Sequence, residues 1–162
     1  MAFRLDIPPP AYVDTDEEVD RLLEEIPEWD MVGFDTETTG LDHFFDQIWF
    51  WSLANGHERY CLPRHRLWDF KEIFEDKSIK WAIHNANFDA NMLANAGISQ
   101  CDGSVVGNRY DSMILHTLFR DFEPHDLDHV SRRVLGIPKL FSYKERFGGV
   151  NIQELRPGHE LF

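Results

Sequence analysis

The sequence predicts an α/β fold in which a mixed five-stranded sheet, three antiparallel strands and then an α-β-α-β run, is flanked by helices. Three observations carry that reading. Residues 30 to 63 hold three β-prone segments in succession, with Asn55-Gly56 between the last two. Two further short apolar runs follow, each leading into a segment with helical character. Hairpin-linked strands followed by strand–helix alternation make a mixed sheet with helices packed on it. The 162 residues suit a single domain with a sizeable core.

The elements follow in order. Residues 1–13, with prolines at 8 to 10, form an extended lead-in. A helix starts at Asp14 or Thr15 as N-cap, with acids in its first turn, and Pro27 ends it. Val19, Leu22, Leu23 and Ile26 sit at helical spacing, and the acidic face is solvated surface. Residues 30–36 and 47–54 are strands, the second strongly β-prone, and 58–63 return after the Asn55-Gly56 turn. A helix spans 67–76, a short strand 80–84, and a helix 87–97 stopped by Gly97. A fifth strand spans 105–111, and two helices follow at 112–119 and 127–136, the second stopped by Gly136. The pattern fades from about Phe141.

Composition is that of a globular protein, and no apolar run approaches the ~20 residues that cross a bilayer. The N-terminus lacks the apolar core of a secretion signal. Cys61 and Cys101 have neither metal spacing nor a disulfide framework, so a reducing cytoplasm is expected. A net charge of −13 argues against long tracts of phosphate contact. It leaves room for a nucleic acid end held through bound cations, which invert the local charge.

Asp35 and Glu37 flank Thr36 at the end of an apolar run. Residues two apart on a strand point to one face. Two adjacent carboxylates repel, and a shared divalent cation resolves the conflict; oxygen ligands suit Mg2+ or Mn2+. By itself the pair also fits an exposed acidic strand end. In "WAIHNANFDANML" a short strand runs into a helix whose first turn holds Asp89, with Asn85 four residues earlier. Asp89 alone is equally a helix-dipole partner, and Asn85 a loop tie.

Together, "FDTETTGLD" and, about 50 residues on, "HNANFDANML" resemble the first two motifs of the DEDD 3′–5′ exonucleases, which have the ribonuclease-H-like fold. The likeness is to the proofreading domain of family A DNA polymerases, phage enzymes included, and covers roughly residues 28 to 136. It implies that Asp35, Glu37 and Asp89 are catalytic ligands of two divalent cations. It places Thr38 near the 3′-terminal sugar and makes Leu41 an apolar wedge against the terminal base. Asn85 and Phe88 match further motif positions near the substrate. Asp111 ends a strand and is read as structural or as supporting the ligands, with a ligand role as the alternative. The implied reaction is two-metal hydrolysis of the terminal phosphodiester, releasing a nucleoside 5′-monophosphate. The implied partners are a single-stranded or frayed DNA 3′ end and a polymerase domain in the same or a companion chain, in a bacterial or phage-infected cell, with no membrane.

The family has a fourth acid in a third motif, Tyr-x-x-x-Asp or His-x-x-x-x-Asp. Tyr12 and Asp16 fit the first spacing but precede the first motif; His84 and Asp89 fit the second, but Asp89 is already used; Tyr143 is followed by Phe147. The expectation is a chain of one domain over 1–162, truncated at its C-terminus, that binds metal weakly and hydrolyses DNA poorly or not at all. Two rival readings are an RNA-trimming exonuclease of the same superfamily and a non-catalytic module binding a partner or a nucleic acid end. Among the remaining features, Trp49, Phe50 and Trp51 read as sheet core, and the basic spot at 64–66 as ordinary surface. Phe44 and Phe45 are candidates to grip terminal nucleotides. His125 and His129, four apart, read as surface histidines for want of further zinc ligands.

Overall fold

A computed structural model describes residues 9–98 and 108–137. The described residues divide into two compact units, the first over 10–112 and the second including 113–137.

The first unit is built on a mixed sheet in the order β1-β4-β3-β2-β5-β6. Its strands are β1 (Ala11–Tyr12), β2 (Val32–Thr38), β3 (Ile48–Ala54), β4 (Arg59–Pro63), β5 (Lys80–Ile83) and β6 (Asn108–Asp111). β2, β3 and β4 form the predicted antiparallel meander, and β5 and β6 add to β2 in parallel. Among the described residues the sheet has six strands rather than five. The addition, β1, falls within the predicted lead-in and pairs in parallel with the outer edge of β4. Two residues are too few to show a period-two pattern, so only the tertiary pairing defines this strand. Residues 1–8 of the lead-in, 105–107 of the predicted fifth strand, Cys101 and the segment from Phe141 lie outside the described residues.

Helix α1 (Asp16–Glu25) is opened by a reciprocal cap. Thr15 Oγ1 accepts from the Glu18 amide, and the Glu18 carboxylate accepts from the Thr15 amide. The β3–β4 turn needs Gly56 at φ 90°, and the Asn55 side chain accepts from the His57 and Glu58 amides. The segment predicted as a helix over 67–76 starts inside a 3-10 helix over Arg64–Phe70 and continues as α2 (Lys71–Glu75). Leu67 and Phe70, three apart, are both fully buried, which matches a three-residue turn. α3 (Ala86–Asn95) follows β5 and stops at Gly97, φ 84°.

One sheet face is apolar. Phe34, Trp51 and Trp81 pack with Phe70 and Phe74 at ring separations of 4.9–6.3 Å. Trp51 is therefore core, as predicted, while Phe50 points to the opposite face and is also buried. In the basic spot at 64–66, Arg66 pairs with Asp14, Asp16 and Asp69, His65 with Asp14, and Arg64 donates to the Gln47 side chain.

The second unit holds most of α4 (Ser112–Phe119), α5 (Leu127–Val130) and a π-helical turn over Ser131–Leu135. Asp126 caps α5 through the His129 amide, and Gly136, φ 70°, ends the π turn. Among the described residues no helix is long and apolar enough to cross a membrane.

Candidate active site

Topology gathers the acids. β2, β5 and β6 are mutually parallel, so their C-terminal ends open on one edge of the sheet. Open α/β sheets bind ligands at such an edge. Asp35 and Glu37 lie in the C-terminal half of β2, Asn85 and Asp89 follow β5, and Asp111 is the last residue of β6.

β2 alternates strictly. Val32, Phe34 and Thr36 are buried, whereas Asp35 and Glu37 are exposed on the other face. The two carboxylates thus share a face, as the period of two requires. Burial of Cys61 pushes its thiol up to about 11, with the Glu37 charge adding to the effect. Asp35 stands in the same cross-strand row as Ser52 and Cys61.

Asp89, in the first turn of α3, is 2% exposed. Its Oδ1 accepts from the Thr36 amide at 3.0 Å and from Thr36 Oγ1 at 2.7 Å. Burial raises its pKa from 3.8 to about 7, the Thr36 hydroxyl pulls it down, and the Asp35 charge pushes it up again. Thr36 was not singled out by sequence reasoning. Its place between two acids was the available signal, but its contact depends on where α3 lands.

Asp111 accepts from the Asn85 amide at 3.1 Å and the Ala86 amide at 2.8 Å. It thereby ties the start of α3 to the end of β6. Asn85 sits at φ 62°, left-handed for a non-glycine residue, a conformation Asn tolerates better than most. Phe88 is half-buried and packs against the core cluster.

The loop after β2 presents apolar side chains to solvent. Leu41 is 85% exposed, Phe44 75% and Phe45 85%. A second residue absent from the sequence reading, Asp46, shapes this loop. Its carboxylate accepts from Thr39 Oγ1 at 3.0 Å and the Asp42 amide at 2.9 Å, and Asn95 Nδ2 donates to its carbonyl. A side chain on Gly40 would overlap the Asp46 carboxylate. Thr38, beside a bulge at Glu37/Thr38, donates to the Gly40 carbonyl at 2.6 Å.

Asp35, Glu37 and Asp89 are donors of the type a divalent cation takes, although among the described residues the group whose ligand atoms all lie within 4.8 Å of one another is a different one, His116, Glu123 and His129. The three acids offer hard oxygens, and a buried carboxylate beside a second negative charge favours a cation over an unpaired ion.

Fold and acid placement together define a ribonuclease-H-like exonuclease domain. The family model of the DNA polymerase A type, described as 3′–5′ exonuclease, matches residues 10–152. The chain belongs to this 3′–5′ exonuclease family. No curated protein matches its sequence significantly. Among solved structures it resembles the catalytic core of RRP6 from Trypanosoma brucei, with TM-score 0.72 and 18% identity over 94% of this chain and 40% of that one. Escherichia coli RNase D, an exoribonuclease involved in structured RNA processing, matches with TM-score 0.71 and 18% identity over 94% and 39%. Brucella melitensis NrnC with bound Mg2+ matches with TM-score 0.60 and 20% identity over 82% and 63%. The chain spans about two-fifths of the length of the first two. At these identities the likeness is one of fold.

Proposed function

We propose that Asp35, Glu37 and Asp89 hold two divalent cations, Mg2+ or Mn2+, and that the site removes nucleotides singly from a nucleic acid 3′ end. The placement of Asp35 and Glu37 on one face of β2, with the buried Asp89 hydrogen-bonded to Thr36 between them, carries this reading. Bound cations supply an activated water and charge stabilisation at the departing 3′ oxygen. The chain's own residues position. Thr36 holds Asp89, and Asp111 holds the backbone at Asn85 and Ala86. Thr38 and Leu41 face the terminal nucleotide in this reading, with Asn85 and Phe88 lining the entry to α3 and Phe44 and Phe45 extending the grip.

DNA is the first substrate choice, because the matching family model is of the DNA polymerase A type. A polymerase domain in the same or a companion chain is then the implied partner. RNA is the second, favoured by the similarity to an exoribonuclease. The test is single-turnover digestion of 5′-labelled DNA and RNA oligonucleotides with Mn2+, beside titration of Mn2+ into the protein. Shortening from the 3′ end, however slow, and Mn2+ binding are both expected to vanish in Asp35→Ala. Digestion that survives both Asp35→Ala and Asp89→Ala, or proceeds from the 5′ end, would overturn the proposal.

A further inference from the structure

The second unit holds a cluster that the exonuclease site does not use. His116 on α4, Glu123 in the following loop and His129 on α5 each direct a ligand atom into one spot, all within 4.8 Å of one another. His129 Nε2 lies 3.3 Å and His116 Nε2 3.9 Å from the same oxygen, Glu123 Oε2. Sequence reasoning took His129 and its neighbour His125 as surface residues lacking further ligands. The fold supplies those ligands from 6 and 13 positions upstream of His129, at spacings that no short zinc motif contains.

The second observation is His116 itself. Its side chain is 5% exposed, and its Nε2 is buried without a hydrogen-bond partner. Its Nδ1 lies 2.8 Å from Nδ1 of His125, so one of the two nitrogens donates. If His116 donates, its Nε2 is a buried lone pair facing a carboxylate. If His125 donates, His116 carries a buried Nε2–H that reaches no acceptor, which is costly. A cation at Nε2 resolves the first arrangement and leaves His125 orienting the ligand through Nδ1, as metal-bound histidines generally require.

We propose that His116, Glu123 and His129 form a Zn2+ site. Two imidazoles and a carboxylate suit Zn2+ better than Mg2+. Ligand atoms around tetrahedral zinc, at bond lengths near 2.0–2.2 Å, stand roughly 3.3 Å apart, so the observed 3.3 and 3.9 Å need little adjustment. Three protein ligands leave the fourth position to water. Arg133 Nε lies 3.3 Å from Glu123 Oε2 and must rotate outward, which its half-exposed side chain permits. Arg120, 3.6 Å from Glu123 Oε1, can stay on the oxygen the metal does not use. The ion would clasp α4, the loop and α5 together. The proposal is independent of the exonuclease reading.

The test uses the full chain with Asp35→Ala/Asp89→Ala, which empties the acidic site. Zn2+ is titrated in competition with a chromophoric chelator, and Co2+ is added as a spectroscopic probe. One equivalent of Zn2+, a visible Co2+ band of low-coordinate type and a rise in melting temperature are expected. Glu123→Gln and His129→Ala, both at partly exposed positions, should weaken Zn2+ at least tenfold while leaving the circular dichroism unchanged. His125→Ala should weaken it about 10–100-fold. No bound equivalent, or binding unaltered in both Glu123→Gln and His129→Ala, would overturn the site.

Discussion

Asp89 sets the residue scale. A carboxyl with a folded pKa near 7, against 3.8 when unfolded, is bound more tightly to its proton in the native state. Its contribution favours the fold in acid and is lost as pH rises from about 4 through about 7. Metal-free protein should therefore melt several degrees lower at about pH 8 than at about pH 5 on this group's account, at roughly 2–4 °C per kcal/mol. Asp89→Asn keeps the oxygen that accepts from Thr36 and removes the charge. It should flatten that slope, raise the metal-free melting temperature above wild type at about pH 8, and abolish stabilisation by Mn2+. A wild-type-like slope in Asp89→Asn would assign the effect elsewhere. Thr36→Val deletes the hydroxyl donor and leaves a buried acceptor half-served. A loss of about 1–3 kcal/mol in denaturant unfolding is expected, with the Asp89 titration moved further up when followed by carboxyl NMR signals.

At the scale of elements, the loop between β2 and β3 is a small machine for display. Asp46 draws Thr39 and Asp42 together, and the tight approach of Gly40 makes room for its carboxylate. Three large apolar side chains are left in solvent as a result. Asp46→Ala should relax the loop and weaken binding of a single-stranded 3′ end several-fold, read by fluorescence anisotropy with a 3′-terminal label. Its effect on global stability should stay near 1 kcal/mol, because these bonds lie at the surface. Gly40→Ala should give the same phenotype by steric overlap. The strands and the main helices were legible from period and turn chemistry. The 3-10 character of Arg64–Phe70 and the π turn over Ser131–Leu135 were not, since both depend on how the segment meets its neighbours.

For the molecule as a whole, the aromatic face of the sheet backs the strand that carries Asp35 and Glu37. Phe34 touches Trp51, Phe74 and Trp81, and it is the residue immediately before Asp35. Phe34→Ala should cost about 3–5 kcal/mol, a large part of a domain's stability. Mn2+ binding at the neighbouring acids should fall with it. Loss of the near-ultraviolet dichroism at a temperature where wild type is folded would report the first effect. A Phe34→Ala protein with unchanged melting would show that the cluster tolerates the cavity.

The sequence by itself determined the local facts: five of the six described strands, that Asp35 and Glu37 share a face, and where Gly97 and Gly136 stop their helices. Those follow from periods of 2 and 3.6 and from backbone sterics, which act over a few residues. The tertiary structure decided everything that joins distant residues: the β1–β4 edge pairing, Thr36 on Asp89, Asp111 on the start of α3, Asp46 across its loop, and His116 with Glu123 and His129. Each is a hydrogen bond, pairing or cluster whose partners are set by how elements dock, and no local pattern specifies docking.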